Sequence, residues 1–192
     1  QSRRPPLLVY TDASFSSKRA RAGGSSRECR DPHAHLRGYL GAVVYDPDSG
    51  IVHVAEAMPN WAVLLASWRD DFKTYIAELE MLAVVSVYTT FPSLFAGRSV
   101  NHWVDNTVAL SALVHGYAGK PELAKSVNIF YLQAVALRTA VYFDYVPSKA
   151  NIADLPSRRM FEQLASELVG LRRTSPPHRK LRVPSIAEWN AD

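Results

Sequence analysis

The chain has 192 residues, of which 47% are hydrophobic, with a net charge of +4 and a single cysteine, Cys29. This length suits one domain with short extensions and an ordinary core, and the lone cysteine excludes an internal disulfide and a cysteine-built zinc site and points to an intracellular compartment, cytoplasm or nucleus. No run of 18 apolar residues exists, so no membrane span is expected, while the modest positive charge fits a polyanionic partner.

Residues 1–6 read as a basic, Pro-rich linker without an initiator Met or a signal-peptide core, as in a piece of a longer chain. Residues 7–13 form a first strand, four apolar residues, Leu7 to Tyr10, running into Thr11 and Asp12. Residues 15–38 make a long basic loop insertion rich in Ser, Gly and Arg. Cys29, His33 and His35 lie there with irregular spacing, and a zinc site is not expected of them. Strands follow at 39–45 and 51–57, joined by the hairpin chemistry of Asp46-Pro47-Asp48-Ser49-Gly50. A short helix is expected over 61–69 and a long, centrally packed one over 73–91, stopped by Pro92. A strand at 98–104 ends in Asp105-Asn106, helices cover 107–116 and 122–138, and a β-branched, aromatic strand covers 139–146. A helical region from 152 to 169 is interrupted near Pro156-Ser157, and residues 171–192 read as a basic, Pro-rich tail. Trp61, Trp68 and Trp103 are expected in the core. The order β-β-β-α-β-α-α-β-α implies an α/β fold with a five-stranded mixed sheet. Three antiparallel strands come first, then two parallel ones, with helices on both faces.

The acids carry the functional argument. Asp12 ends one apolar strand and Asp105 ends another; if the two strands are parallel neighbours, both carboxylates open on one crevice. The long helix offers Glu78 and Glu80. Glu80 shares its row with Ile76, Ala83, Val84 and Val87 and so faces the sheet, whereas Glu78 sits with Thr74, Met81, Leu82 and Ser86 and is expected at the surface. Asp154 begins a helical turn. Two carboxylates 4 Å apart repel by about 4 kcal/mol at an effective dielectric of ~20. Divalent cations with hard oxygen preference, Mg²⁺ first and Mn²⁺ as a substitute, remove that cost. Three or four gathered acids suit two ions about 3.5–4 Å apart, the arrangement used in phosphodiester hydrolysis.

The segments TDAS, GYLGAVVYD, IAELEMLAVV, VDNTVAL and VPSKANIADLPSR, in this order over residues 7–170, resemble the ribonuclease H domain of retroelement reverse transcriptases, of the DIRS-type, retrotransposon or pararetrovirus kind. The resemblance implies a ribonuclease H-like fold over 7–170. It implies metal-binding, catalytic acids at Asp12, Glu80, Asp105 and Asp154, and two Mg²⁺ ions. It implies endonucleolytic cleavage of the RNA strand of RNA–DNA hybrids, next to a covalently linked polymerase domain. Ser14, Asn106, Asn151, Lys149 and Arg158 fall where substrate contacts are expected. An isolated domain of this kind is expected to be monomeric.

Two features depart from the family pattern. The segment Asp144–Lys149 holds no His before the fourth acid, and no basic helical protrusion is evident. The Arg-rich loop and the tail residues Arg172, Arg173, Arg179, Lys180 and Arg182 are candidates for its substrate-holding role. A second reading is a catalytically silent ribonuclease H-like module that binds nucleic acid or serves as a scaffold. A proofreading-type exonuclease is disfavoured, because Ser14 stands where that class carries a Glu.

Overall fold

The structure is a computed structural model that describes residues 4–17, 36–68, 74–170 and 179–185. Strand β1 (Leu7–Ser17) pairs antiparallel with β2 (Leu36–Asp46), which pairs antiparallel with β3 (Ile51–Ala57). Both opening strands run further than the sequence pattern indicates, so the edges of the expected 15–38 loop are sheet. Its interior, with Cys29, His33 and His35, lies outside the described residues, as do Arg172 and Arg173.

The β2–β3 turn is built on Asp46. Its carboxylate accepts from Asp48 N–H and Ser49 Oγ, its carbonyl accepts from Gly50 N–H, and Arg98 Nη2 donates to Oδ1 at 2.9 Å. That last pair is a buried ion pair joining the hairpin to the base of the fourth strand.

After α1 (Trp61–Ser67) comes α2 (Ile76–Thr90), buried on every side from Ala77 to Tyr88, as its apolar content requires. Its end is marked by Pro92, the first residue of the single turn α3 (Pro92–Phe95). Strand β4 (Ser99–Val104) lies parallel to β1. Helix α4 (Thr107–His115) stops at Gly116, whose φ of 74° is the left-handed cap conformation that glycine adopts most readily. Then come α5 (Pro121–Ala136), β5 (Ala140–Tyr145) parallel to β4, α6 (Asp154–Ser157) and α7 (Phe161–Glu167). As expected, helix is interrupted next to Pro156-Ser157: α6 accommodates Pro156 in its first turn and ends at Ser157, and Arg159, with φ 61°, lies in the break.

The sheet order is β5-β4-β1-β2-β3-β6, six strands among the described residues against the five expected. The additional strand, β6 (Arg179–Lys180), pairs parallel with β3, and Leu181 beside it is buried in the core. Two residues carry no alternation to read, which is why this segment looks like tail in sequence.

Strand β2 shows how the two faces are divided. Leu40, Ala42 and Val44 enter the larger core, which α2 fills, while Val43 joins Val52, Val54, Leu164 and Leu168 in a smaller core beneath α6 and α7. Trp61 and Trp68 are buried in the larger core. Trp103 is only half-buried, stacked on Tyr10 with ring centroids 4.8 Å apart.

Candidate metal centre

The β1–β4 ladder runs from Leu7–Val100 to Tyr10–Trp103. Asp12 and Asp105 each stand two residues beyond its last pair, so the two carboxylates leave the sheet at the same level. Asp12 is still within β1, where its partner on β2 is Gly41. Helix α2 crosses this end of the sheet and delivers Glu80, whose Oε1 accepts the N–H of Ala13 at 3.1 Å. Asp12, Glu80 and Asp105 each present a carboxylate oxygen, and these oxygens lie within 4.8 Å of one another.

The energetic state of this cluster is unfavourable as it stands. Asp12 and Glu80 are 4% and 2% exposed. Burial, first of all, pushes the Asp12 carboxyl up to about 6; the hydrogen bond from Ser157 opposes this, while Asp105 and Asp154 add to it. Burial also drives Glu80 well above the usual carboxylate range, with Asp12 and Asp105 adding repulsion and the Ala13 N–H opposing it. Glu80 Oε2 is buried with no hydrogen-bond partner among the described residues. An orphaned oxygen on a carboxylate clustered with two further acids fits a divalent cation with oxygen ligands.

Asp154 is not a member of the close trio. It starts α6, and its Oδ1 is bound by Arg158 Nε at 2.5 Å, one turn along. It remains near enough to raise the proton affinity of Asp12 and Glu80.

The polar residues around the acids hold the frame. Ser14 Oγ donates to the carbonyl of Ser157 and accepts from Tyr39 N–H. Asn106 caps α4 by accepting from Val108 and Ala109 N–H. Asn151 is buried; its Nδ2 donates to the carbonyl of Thr11 and its Oδ1 accepts from Ala153 N–H. Lys149 is exposed, on the rim of a polar cavity of about 380 Å³ shared with Asp154, Gln163 and Glu167. A larger cavity of about 840 Å³ lies between α1 and residues 180–185 and includes none of the acids.

The Glu78 expectation is corrected. Glu78 is 1% exposed, and Lys120 Nζ reaches its Oε1 at 3.3 Å from the turn before α5. A lysine forty-two residues away compensates its burial, so the row argument ranked the two glutamates without detecting that both are inside.

Two contributors escape sequence reasoning altogether. Ser157 Oγ donates a short hydrogen bond to Asp12 Oδ2. One residue before Asp12, Thr11 Oγ1 meets His102 Nε2 at 2.9 Å, and His102 Nδ1 meets Tyr88 Oη at 3.2 Å, all three fully enclosed. A His in the middle of an apolar strand is the only trace of this second network in the sequence.

The fold and these acids define an α/β domain with a carboxylate cluster just past the carboxyl end of the parallel β1–β4 ladder. No protein-family model and no curated protein matches the chain. Among solved structures it is similar to the RNase H1 of the halophilic archaeon Halobacterium salinarum NRC-1, at 13% identity and a TM-score of 0.56, covering 83% of this chain and 99% of that one. It is similar to the N-terminal RNase H domain of Rv2228c from Mycobacterium tuberculosis, solved as a fusion with maltose binding protein, at 14% identity and a TM-score of 0.52, with 85% and 99% covered. It is also similar to LC11-RNase H1, solved in complex with an RNA/DNA hybrid, at 14% identity and a TM-score of 0.50, with 82% and 97% covered. The fold is ribonuclease H-like. No helix among the described residues is long and apolar enough to cross a membrane.

Proposed function

We propose that this chain is a metal-dependent ribonuclease H, hydrolysing the RNA strand of RNA–DNA hybrids endonucleolytically. The observation that carries the reading is the meeting of Asp12, Glu80 and Asp105 within 4.8 Å, with Glu80 Oε2 left unpartnered, at one end of a ribonuclease H-like sheet. Asp12, Glu80 and Asp105 would hold one divalent ion, and Asp12 with Asp154 a second; Mg²⁺ is the natural candidate and Mn²⁺ its substitute. Bound there, such ions supply Lewis acidity toward a phosphodiester and a hydroxide-like nucleophile from water.

The chain's own residues do the rest. Ala13 N–H orients Glu80, Ser157 orients Asp12, and the Asn106 cap fixes the turn that follows Asp105. Lys149 is exposed on the approach to Asp154 and is assigned to a substrate phosphate. Arg158 is 58% exposed and paired with Asp154, so it can exchange that carboxylate for a phosphate when a cation takes its place. Ser14 and Asn151 are assigned to shaping the strand end on which the hybrid would rest. The hybrid bound by LC11-RNase H1 supports the substrate class. The retroelement-like motifs support a place for the domain, residues 7–170 with its basic loop, beside a polymerase domain in a reverse-transcribing polyprotein. They also support an intracellular setting and a monomeric domain.

The Arg158–Asp154 ion pair favours one competing reading: a silent module whose fourth acid is neutralised by its own chain. Cleavage of a labelled hybrid in Mg²⁺ or Mn²⁺ by the natural protein and by Asp105→Asn separates the two. The enzyme reading expects cleavage that the variant lacks. Binding of the hybrid without cleavage, or equal cleavage by both proteins, removes it.

A further inference from the structure

Ser157 stands at the last position of α6 with none of its surface exposed. Its backbone carbonyl accepts Ser14 Oγ at 2.8 Å, and its N–H donates to Ala153 O at 3.1 Å. Its hydroxyl lies between two acceptors, Asp12 Oδ2 and the Asp154 carbonyl, the latter at 3.1 Å. A hydroxyl has one proton, and a charged carboxylate is the stronger acceptor.

This contact depends on an absence. Gly41, the β2 partner of Asp12, faces the backbone of α6, and a Cβ built there would lie 2.5 Å from Ser157 N and 2.6 Å from Ala153 O. Only a residue without a side chain lets α6 back onto the sheet directly behind Asp12. The helix that begins with Asp154 therefore ends by presenting a hydroxyl to Asp12.

We infer that Ser157 is a positioning residue for the carboxylate cluster: it occupies one oxygen of Asp12, leaves the other to the Glu80–Asp105 side, and couples the placement of Asp12 to that of Asp154 through a single helical turn. A carboxylate anchored at one oxygen cannot rotate freely about its terminal torsion, and partners of this kind set ligand orientation at metal sites. Ser157 does not touch substrate, so the effect of losing it belongs to metal affinity and turnover, not to hybrid binding.

The inference rests on the metal-dependent reading above, and the test keeps the two apart. Mn²⁺ binding without substrate is measured by calorimetry, and kcat and KM are measured on a labelled hybrid, for the natural protein, Ser157→Ala and Ser14→Ala. The expected result for Ser157→Ala is a native circular-dichroism spectrum, a KM within about twofold of the natural protein, and losses of roughly ten- to a hundredfold in Mn²⁺ affinity and in kcat. Ser14→Ala, which removes the donor to the Ser157 carbonyl and the acceptor of Tyr39 N–H but leaves the Ser157 hydroxyl in place, shifts the same two quantities by a smaller factor. If Ser157→Ala does not fold, Ser157→Cys, with similar volume and a weaker donor, carries the same expectation. Unchanged Mn²⁺ affinity and kcat in a folded variant overturn the inference while leaving the enzyme reading intact; so does a change confined to KM. A natural protein that neither binds Mn²⁺ nor cleaves overturns the enzyme reading first, and this inference with it.

Discussion

Glu80 and Ala13 are joined by one hydrogen bond, from the Ala13 N–H to Glu80 Oε1 at 3.1 Å, which ties the central helix to the residue after Asp12 and leaves Oε2 buried and unpartnered. Replacing Glu80 by Gln keeps the oxygen that Ala13 needs and removes the charge. Metal-free Glu80→Gln is expected to unfold at a higher temperature than the natural protein, by about 1–2 kcal/mol of stability, because a buried charge among like charges is gone. Mn²⁺ stabilises the natural protein by mass action and raises the variant's melting temperature by less. A variant that gains as much from Mn²⁺ as the natural protein does would show that Glu80 is no ligand.

Two enclosed groups pull the pH dependence of metal-free stability in opposite directions. Asp12 is raised from an ordinary 3.8 to about 6 by burial, so the folded state holds its proton more tightly. The stability linked to it is complete below pH 3.8 and is lost as pH rises through about 6. His102 is depressed from 6.5 to about 3, also by burial, so its stability is complete above pH 6.5 and is lost as pH falls toward 3. Asp12→Asn is therefore expected to gain on the natural protein between pH 4 and pH 7, by on the order of 2 kcal/mol. Denaturant titrations across that range in the presence of a chelator read this directly, and a constant difference across the range would contradict it.

Gly41 predicts a steric failure. Gly41→Ala places a methyl carbon against the backbone of Ser157 and Ala153, neither of which can swing aside as a side-chain tip can. The expected cost is about 1–3 kcal/mol, with cleavage falling further than stability alone explains, because α6 carries both Asp154 and the Ser157 hydroxyl. Thermal melts and hybrid cleavage at a temperature where the variant remains folded separate the two effects.

His102→Leu matches the apolar surroundings but strands two hydroxyls, Thr11 Oγ1 and Tyr88 Oη, inside the core. The expected loss is about 2–4 kcal/mol, and adding Tyr88→Phe recovers part of it by removing one orphan. Equal stability of the single and double variants would mean that Tyr88 does not depend on this ring.

What the sequence makes legible depends on how far apart the cooperating residues are. Asp12 and Asp105 are visible because each breaks an apolar strand at its carboxyl end, and parallel neighbours must then share a level. Glu80 can be ranked above Glu78 by its helical row, yet the burial of Glu78 cannot be read, because Lys120 reaches it from a turn that no periodicity connects to α2. Asp154 is legible as an acid near the site but not as one held by Arg158, since a first-turn acid followed by a basic residue four positions on is also an ordinary surface pair. Ser157 stays hidden because its role exists only where two strands and a helix meet over a glycine. Strand β6 is too short for any pattern.

Residues 179–185 have a consequence for the solution behaviour of the molecule. By pairing with Ala55 and Glu56 and donating Leu181 N–H to the Glu56 carbonyl at 2.9 Å, they occupy part of the outer rim of β3 and seal Leu181 beneath it. A protein shortened to end at residue 170 would bare that rim, with its unpaired backbone groups, beside a newly opened apolar hollow. Such rims recruit strands from other molecules. The shortened form is expected to self-associate at lower concentration than the full chain, which sedimentation of the two at matched concentrations checks, so this late segment would act as a guard on the sheet's open side.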